Sequence, residues 1–208
     1  MFAELLAHPG VEERCELRST FGFMAFHGGN LERGTDTIAA AAASAAGASL
    51  YAVVQPPDLR WHLPSTEFTP DDSEQLAAFV DHVDVAIALH GYGRDGSWTT
   101  LLLGGRNREL ATELGAELRS RLPGFTIEDD LERIPLELRG VHAANPVNLP
   151  PGCGVQLELP PRVRGQAPTS EPWHTDAVIA ALTATARTFS SPQGERRSSF
   201  QVSPAADE

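Results

Sequence analysis

The chain contains no lysine: all sixteen of its basic residues are arginine. That absence excludes whole mechanisms, because a Walker phosphate loop, a Schiff-base enzyme, a pyridoxal phosphate anchor and a Ser-Lys dyad each need an ammonium group. Cysteine is nearly absent too. Cys15 and Cys153 are too few for a disulfide framework, and their apolar or glycine-flanked neighbours predict buried free thiols, with a single bridge as the alternative. No run approaches the roughly twenty apolar residues that a bilayer span needs, so no membrane partner is expected. Positive charge is in the minority, since 28 Asp and Glu against 16 arginines leave a net charge of −12. That balance argues against nucleic-acid binding, whose affinity rests on neutralised phosphates. The first residues carry an acid at Glu4 and no basic leader, a poor signal peptide, so a cytoplasmic protein is expected, monomeric by default.

What is present reads as globular, with 208 residues that are 41% apolar and 21% charged, enough for one well-filled core. Strand-like and helix-like patterns alternate. They predict an α/β single domain in which a mixed, mostly parallel central sheet is flanked by helices. Strands are expected at 12–18, 21–27, 50–54, 85–89, 99–103, 125–129 and 154–159, and helices at 35–46, 73–83, 107–121 and 173–189. Thr35 or Asp36 is expected to cap the first of these helices, and Gly47 to end it. The domain is expected to span 1–189. From 190 to 208 the apolar pattern gives way to Ser, Pro, Gly and charge, the composition of a flexible tail.

Two apolar strands end in the same dipeptide, His27-Gly28 and His90-Gly91, and Glu32 lies just beyond the first. His27 and Glu32 are five apart, so they cannot share a helix face, and Gly28-Gly29 supplies the turn that brings them together. Singly, each has a plain explanation: a histidine at a strand end is often only hydrogen-bonded, and an acid before a helix favours the helix dipole. Together His27, Glu32 and His90 make a three-ligand set for one zinc ion that leaves a fourth position for water or substrate, the pattern of a metallohydrolase. Glu158 lies in an alternating strand with Val155, Leu157 and Leu159 on the opposite face. It either serves as general base toward a metal-activated water or sits on the solvated face of an edge strand. Arg106 and Asn107 come after the Gly104-Gly105 turn, Arg162 and Arg164 after the Glu158 strand, and the guanidinium forks of the three arginines suit a substrate carboxylate. His62 is a further candidate, in a loop rich in aromatic and polar groups. Gly91-Tyr92-Gly93-Arg94-Asp95-Gly96 matches a dinucleotide-binding spacing, but Ser97 to Leu103 is strand-like where that motif must open a helix.

The run His27-Gly28-Gly29-x-Leu31-Glu32-x-Gly34-Thr35-x-x-Ile38-Ala39, the His62-x-x-Ser65-x-x-Phe68-x-Pro70 loop, His90-Gly91, Gly104-Gly105 and Val155 to Leu159 resemble the poly-γ-glutamate hydrolase family. Its members are sometimes labelled phage-related replication proteins, a label these residues do not support. The resemblance spans roughly residues 20 to 165 and implies a zinc carboxypeptidase-like fold. It also implies that His27, Glu32 and His90 hold one Zn2+, that Glu158 is general base and proton shuttle, and that Arg106 and Asn107 hold a substrate carboxylate or polarise the carbonyl. The implied reaction is hydrolysis of a γ-glutamyl amide. A chain at −12 repels a polyanion unless its cleft is locally basic, so a small acyl amino acid or cell-wall peptide is the alternative substrate, and a non-catalytic carboxylate-binding module the alternative role.

Overall fold

The structure is a computed structural model that describes residues 1–190. The tail expected at 190–208 therefore lies, past Ser190, outside the described residues. Seven strands form one sheet: β1 (Glu12–Glu16), β2 (Phe21–Gly29), β3 (Ser49–Gln55), β4 (Val85–Gly91), β5 (Thr100–Leu103), β6 (Thr126–Glu128) and β7 (Gly154–Leu159), in the order β1-β3-β2-β4-β7-β5-β6. The four central strands, β3, β2, β4 and β7, run parallel, while β1 and the β5-β6 pair run against them. Five α-helices accompany the sheet: α1 (Phe2–Leu6), α2 (Thr35–Ala46), α3 (Glu74–His82), α4 (Arg108–Arg121) and α5 (Pro172–Ser190). Each expected strand and helix is present within a residue or two; α1 was not expected. Among the described residues no helix is long and apolar enough to cross a membrane.

Side-chain alternation divides the core between the two faces of the sheet. On one face Phe23 and Ala25 of β2, Ile87 and Leu89 of β4, and Val155 and Leu157 of β7 pack under α2, α4 and α5. On the other, Met24 and Phe26, Tyr51 and Val53, and Ala86 and Ala88 pack against Phe2 and Leu5 of α1, Leu76 and Phe79 of α3, and Phe68. The chain leaves β2 toward β3 on one side and returns to β4 on the other, through helices on opposite faces. A crevice therefore opens at the C-terminal ends of β2 and β4, where the strand order reverses, and it is here that open α/β sheets bind ligands.

Two expectations are corrected by this frame. The thiols are free but only half-buried, with Cys15 on edge strand β1 and Cys153 at the start of β7, well apart in the sheet. Neither Thr35 nor Asp36 caps α2: Gly34 holds the cap position, Thr35 donates to the Glu32 carbonyl, and Asp36 accepts from the Gly29 N–H. Both side chains are spent on fixing the turn before the helix.

Candidate functional site

The crevice is built by three local devices. A β-bulge in β2 between Ala25 and Gly28 turns His27 to the face that already carries Phe26, so its ring lies against Phe68 and 5.1 Å from that of His90. The turn after His27 is closed by the Glu32 N–H on the His27 carbonyl at 2.8 Å, which brings two residues five apart into contact. Gly29 makes that turn possible, with φ +69 and a backbone so close to Gln55 that a Cβ would lie 2.1 Å from its carbonyl oxygen. The third device is strand pairing, which sets His90 of β4 beside Glu158 of β7.

Glu32 stands between the two imidazoles. Its Oε1 lies 2.9 Å from His27 Nδ1, and its Oε2 lies 3.6 Å from His90 Nδ1 and accepts from the Gly91 N–H at 2.8 Å. His27 Nε2 meets the Leu63 carbonyl at 2.9 Å and must carry a proton there, because a carbonyl only accepts. In the neutral ring Nδ1 then points a lone pair at a carboxylate oxygen, an arrangement that demands a proton or a shared cation between them. His90 is buried, Nδ1 stops short of a normal hydrogen bond, and Nε2 has no partner. Ligands of one zinc at bond lengths of about 2.0–2.2 Å stand roughly 3.2–3.6 Å apart; the His27–Glu32 and His90–Glu32 approaches of 2.9 and 3.6 Å, made to different oxygens of Glu32, lie near that spacing, and two imidazoles with a carboxylate are the donor chemistry of a divalent metal. The backbone carbonyl behind His27 is the outer partner that a ligating histidine requires.

Charge obeys the same geometry. Burial would raise the Glu32 carboxyl, but His27 and His90 outweigh it and hold the group well below the usual carboxylate range. Burial lowers His90, yet its contact with Glu32 and the charges of Glu32 and Glu158 leave it raised. Glu158 is only 3% exposed on a central strand, which removes the solvated edge-strand alternative. Burial pushes its carboxyl up, as a proton acceptor working near neutrality needs. Gln156 donates to Glu158 Oε1 at 2.8 Å, and Asn145 Nδ2 donates to Gln156 Oε1 at 2.8 Å, so a short amide chain orients the carboxylate. The sequence alone did not single out Gln156 and Asn145; the period-two alternation that put Gln156 on the face of Glu158 was the available signal.

These groups line a cleft of about 700 Å3 together with Leu136, Leu138, Val141 and His142. His62 lines it too, exposed on its loop, with its ring 4.8 Å from that of His27. One ligand atom each from His27, Glu32 and His62 fall within 4.8 Å of one another, a grouping that does not include His90, so His62 is a rival candidate for the metal beside its expected substrate role.

The arginines are placed otherwise than expected. β5 runs antiparallel to β7, so the Gly104-Gly105 turn leads away from Glu158 toward Gly154, roughly 13 Å down the strand. Arg106 is exposed there, and Asn107 is committed, capping α4 through the Leu110 N–H and donating to the Gly152 carbonyl. Arg162 bonds the Thr169 carbonyl and lies 5.5 Å over the Phe125 ring, outside the cleft. Arg164 passes behind Gly91 and donates to the carbonyls of Leu159, Arg33 and Tyr92, which come just after Glu158, Glu32 and His90 in sequence. One guanidinium thus ties together the three segments that carry the centre.

Fold and cluster define a class, hydrolytic enzymes with a His/Glu centre of the kind that holds a divalent metal. Residues 2–171 match the family model described as poly-γ-glutamate hydrolase, and the chain belongs to that family. The fold is similar to that of a bacteriophage poly-γ-glutamate hydrolase, with a TM-score of 0.71 and 21% identity over 86% of this chain and 89% of that one. It is equally similar to a zinc-free apo form of YNDL, with a TM-score of 0.71 and 21% identity over 86% and 90% of the two chains. A metallo-carboxypeptidase from Burkholderia cenocepacia aligns over 91% of this chain and 67% of its own at 12% identity and a TM-score of 0.47. Among curated proteins no match was found.

Proposed function

We propose that the chain is a zinc-dependent hydrolase of γ-glutamyl amide bonds, with the metal held by His27, Glu32 and His90 and with Glu158 as general base. The observation that carries this reading is the carboxylate of Glu32 gripped between two Nδ1 atoms at 2.9 and 3.6 Å, with a fourth ionisable group, Glu158, paired beside His90. Family membership supports the substrate class. His90 is preferred to His62 as third ligand because it stands on a central strand, buried, with Nδ1 facing Glu32 and Nε2 without a partner, whereas His62 rides exposed on a loop.

Zinc in such a set polarises a carbonyl and lowers the pKa of water to about 7. The remaining work falls to side chains. Glu158 takes a proton from the attacking water and returns it to the departing amine, and Gln156 and Asn145 keep the carboxylate aimed while it changes charge. Leu136, Leu138 and Val141, which also line the cleft, give the methylene groups between successive amides of the substrate an apolar bed.

The test is release of new amino groups from poly-γ-glutamate and from tri-γ-glutamate by zinc-loaded protein, with chelated enzyme and His27→Ala run in parallel. Metal-dependent release that His27→Ala abolishes is the expected result. No release by protein that holds one zinc contradicts the substrate assignment.

A further inference from the structure

The cleft at the centre contains no arginine among its lining residues, although the proposed substrate carries a carboxylate on every repeat. A second hollow, of about 300 Å3, adjoins it across Leu31, which lines both. Three arginines, Arg33, Arg60 and Arg164, line this hollow with Asn30 and Gln166, and no aspartate or glutamate does so among the described residues. In a chain of net charge −12 that concentration of one sign is unusual. The charges are also not paired off by neighbours. Arg33 spends two N–H groups on the Asn30 side-chain oxygen, Arg164 spends three on backbone carbonyls, and Arg60 is exposed and meets no acceptor among the described residues. None of the three is in an ion pair among the described residues, although Arg164 feels the charges of Glu32 and Glu158 from behind; guanidinium groups with N–H donors to spare make a site for an anion, and the planar forks of Arg33 and Arg60 match a carboxylate.

We infer that this hollow is a carboxylate subsite, in which Arg33 and Arg60, backed by the charge of Arg164, hold an α-carboxylate of a γ-glutamyl chain whose scissile amide lies beyond Leu31 at the metal centre. The inference rests on the γ-glutamyl reading and narrows it. The substrate spans at least two residues, and one of them is recognised by charge outside the cleft. It also resolves how an acidic protein accepts a polyanion: the attraction is local, and added salt screens it.

The test is binding of tri-γ-glutamate, and of the same peptide with its α-carboxylates as amides, to zinc-loaded Glu158→Gln protein by calorimetry. The same titrations are run after adding Arg60→Gln, and after adding Arg33→Gln with Arg60→Gln. Arg60 is exposed and makes no hydrogen bond or ion pair among the described residues, so the first variant keeps the test independent of folding. The expected result is a Kd for the acid peptide at least fivefold weaker with Arg60→Gln and at least twentyfold weaker with both, while the amide peptide changes less than twofold. Equal Kd values with and without the arginines, or equal losses for both peptides, overturn the subsite. Hydrolysis by the unsubstituted enzyme is a separate reading. Cleavage with no arginine effect removes the subsite and leaves the function standing, and arginine-dependent binding without cleavage does the reverse.

Discussion

At the scale of single residues, the centre depends on which imidazole joins His27 and Glu32. His90 Nδ1 stands 3.6 Å from Glu32 Oε2, and His62 belongs to a set whose ligand atoms spread up to 4.8 Å. The account predicts that His90→Ala binds less than a tenth of an equivalent of zinc, whereas His62→Ala keeps a full equivalent; metal analysis after dialysis decides it, and the reverse pattern reassigns the ligand. His27, Glu32 and His90 stood out in the sequence because a strand ending in His-Gly is a local signal. The part played by Gln156 was not legible, because an amide becomes part of a site only through the neighbour it bonds, and Asn145 is eleven residues away from it in sequence. Of the carboxylate subsite the sequence marked only Arg164; that Arg33 and Arg60 join it appears only in three dimensions.

At the scale of elements, the turn between β2 and α2 carries a strict backbone demand. A Cβ on Gly29 would lie 2.1 Å from the Gln55 carbonyl oxygen, at φ +69. Gly29→Ala is expected to cost at least about 2 kcal/mol in a urea melt and to weaken zinc binding as well, since Glu32 reaches His27 only through this turn. An unchanged melt contradicts the closure described here. The loop before α3 is pinned by Phe68, fully buried between Phe2, Phe26 and His27. Phe68→Ala should cost about 3–5 kcal/mol by the same measurement. Helix and strand positions were readable because amphipathic periodicity is local. The direction of β5 was not, since Thr99 to Leu103 reads alike in a parallel or antiparallel neighbour. The antiparallel run of β5 is what carries Arg106 and Asn107 away from Glu158, where sequence neighbourhood alone had grouped them with the centre.

At the scale of the whole molecule, the sheet places two histidine-bearing strand ends side by side where the strand order reverses, and the core on both faces holds them there. Zinc bound only by the folded chain must stabilise it. At free zinc one hundred times its Kd the gain is about 2.7 kcal/mol, which for a chain of this length raises Tm by roughly 5–10 °C. Chelation and then zinc restoration, read by a thermal melt, should lower and then recover that margin; identical melts deny a metal site in the folded state. The alternation of strands and helices made the layered fold legible, whereas sheet order, and with it the crevice, depends on long-range pairing that no local pattern encodes. The central claim joins a metal held by His27, Glu32 and His90 to a proton carried by Glu158. The most direct test is zinc content and turnover on tri-γ-glutamate for the unsubstituted chain beside Glu158→Gln. The account predicts one zinc in each and a loss of turnover of about 10²–10⁴-fold in the variant; comparable turnover with the metal retained would remove Glu158 from the chemistry and contradict it.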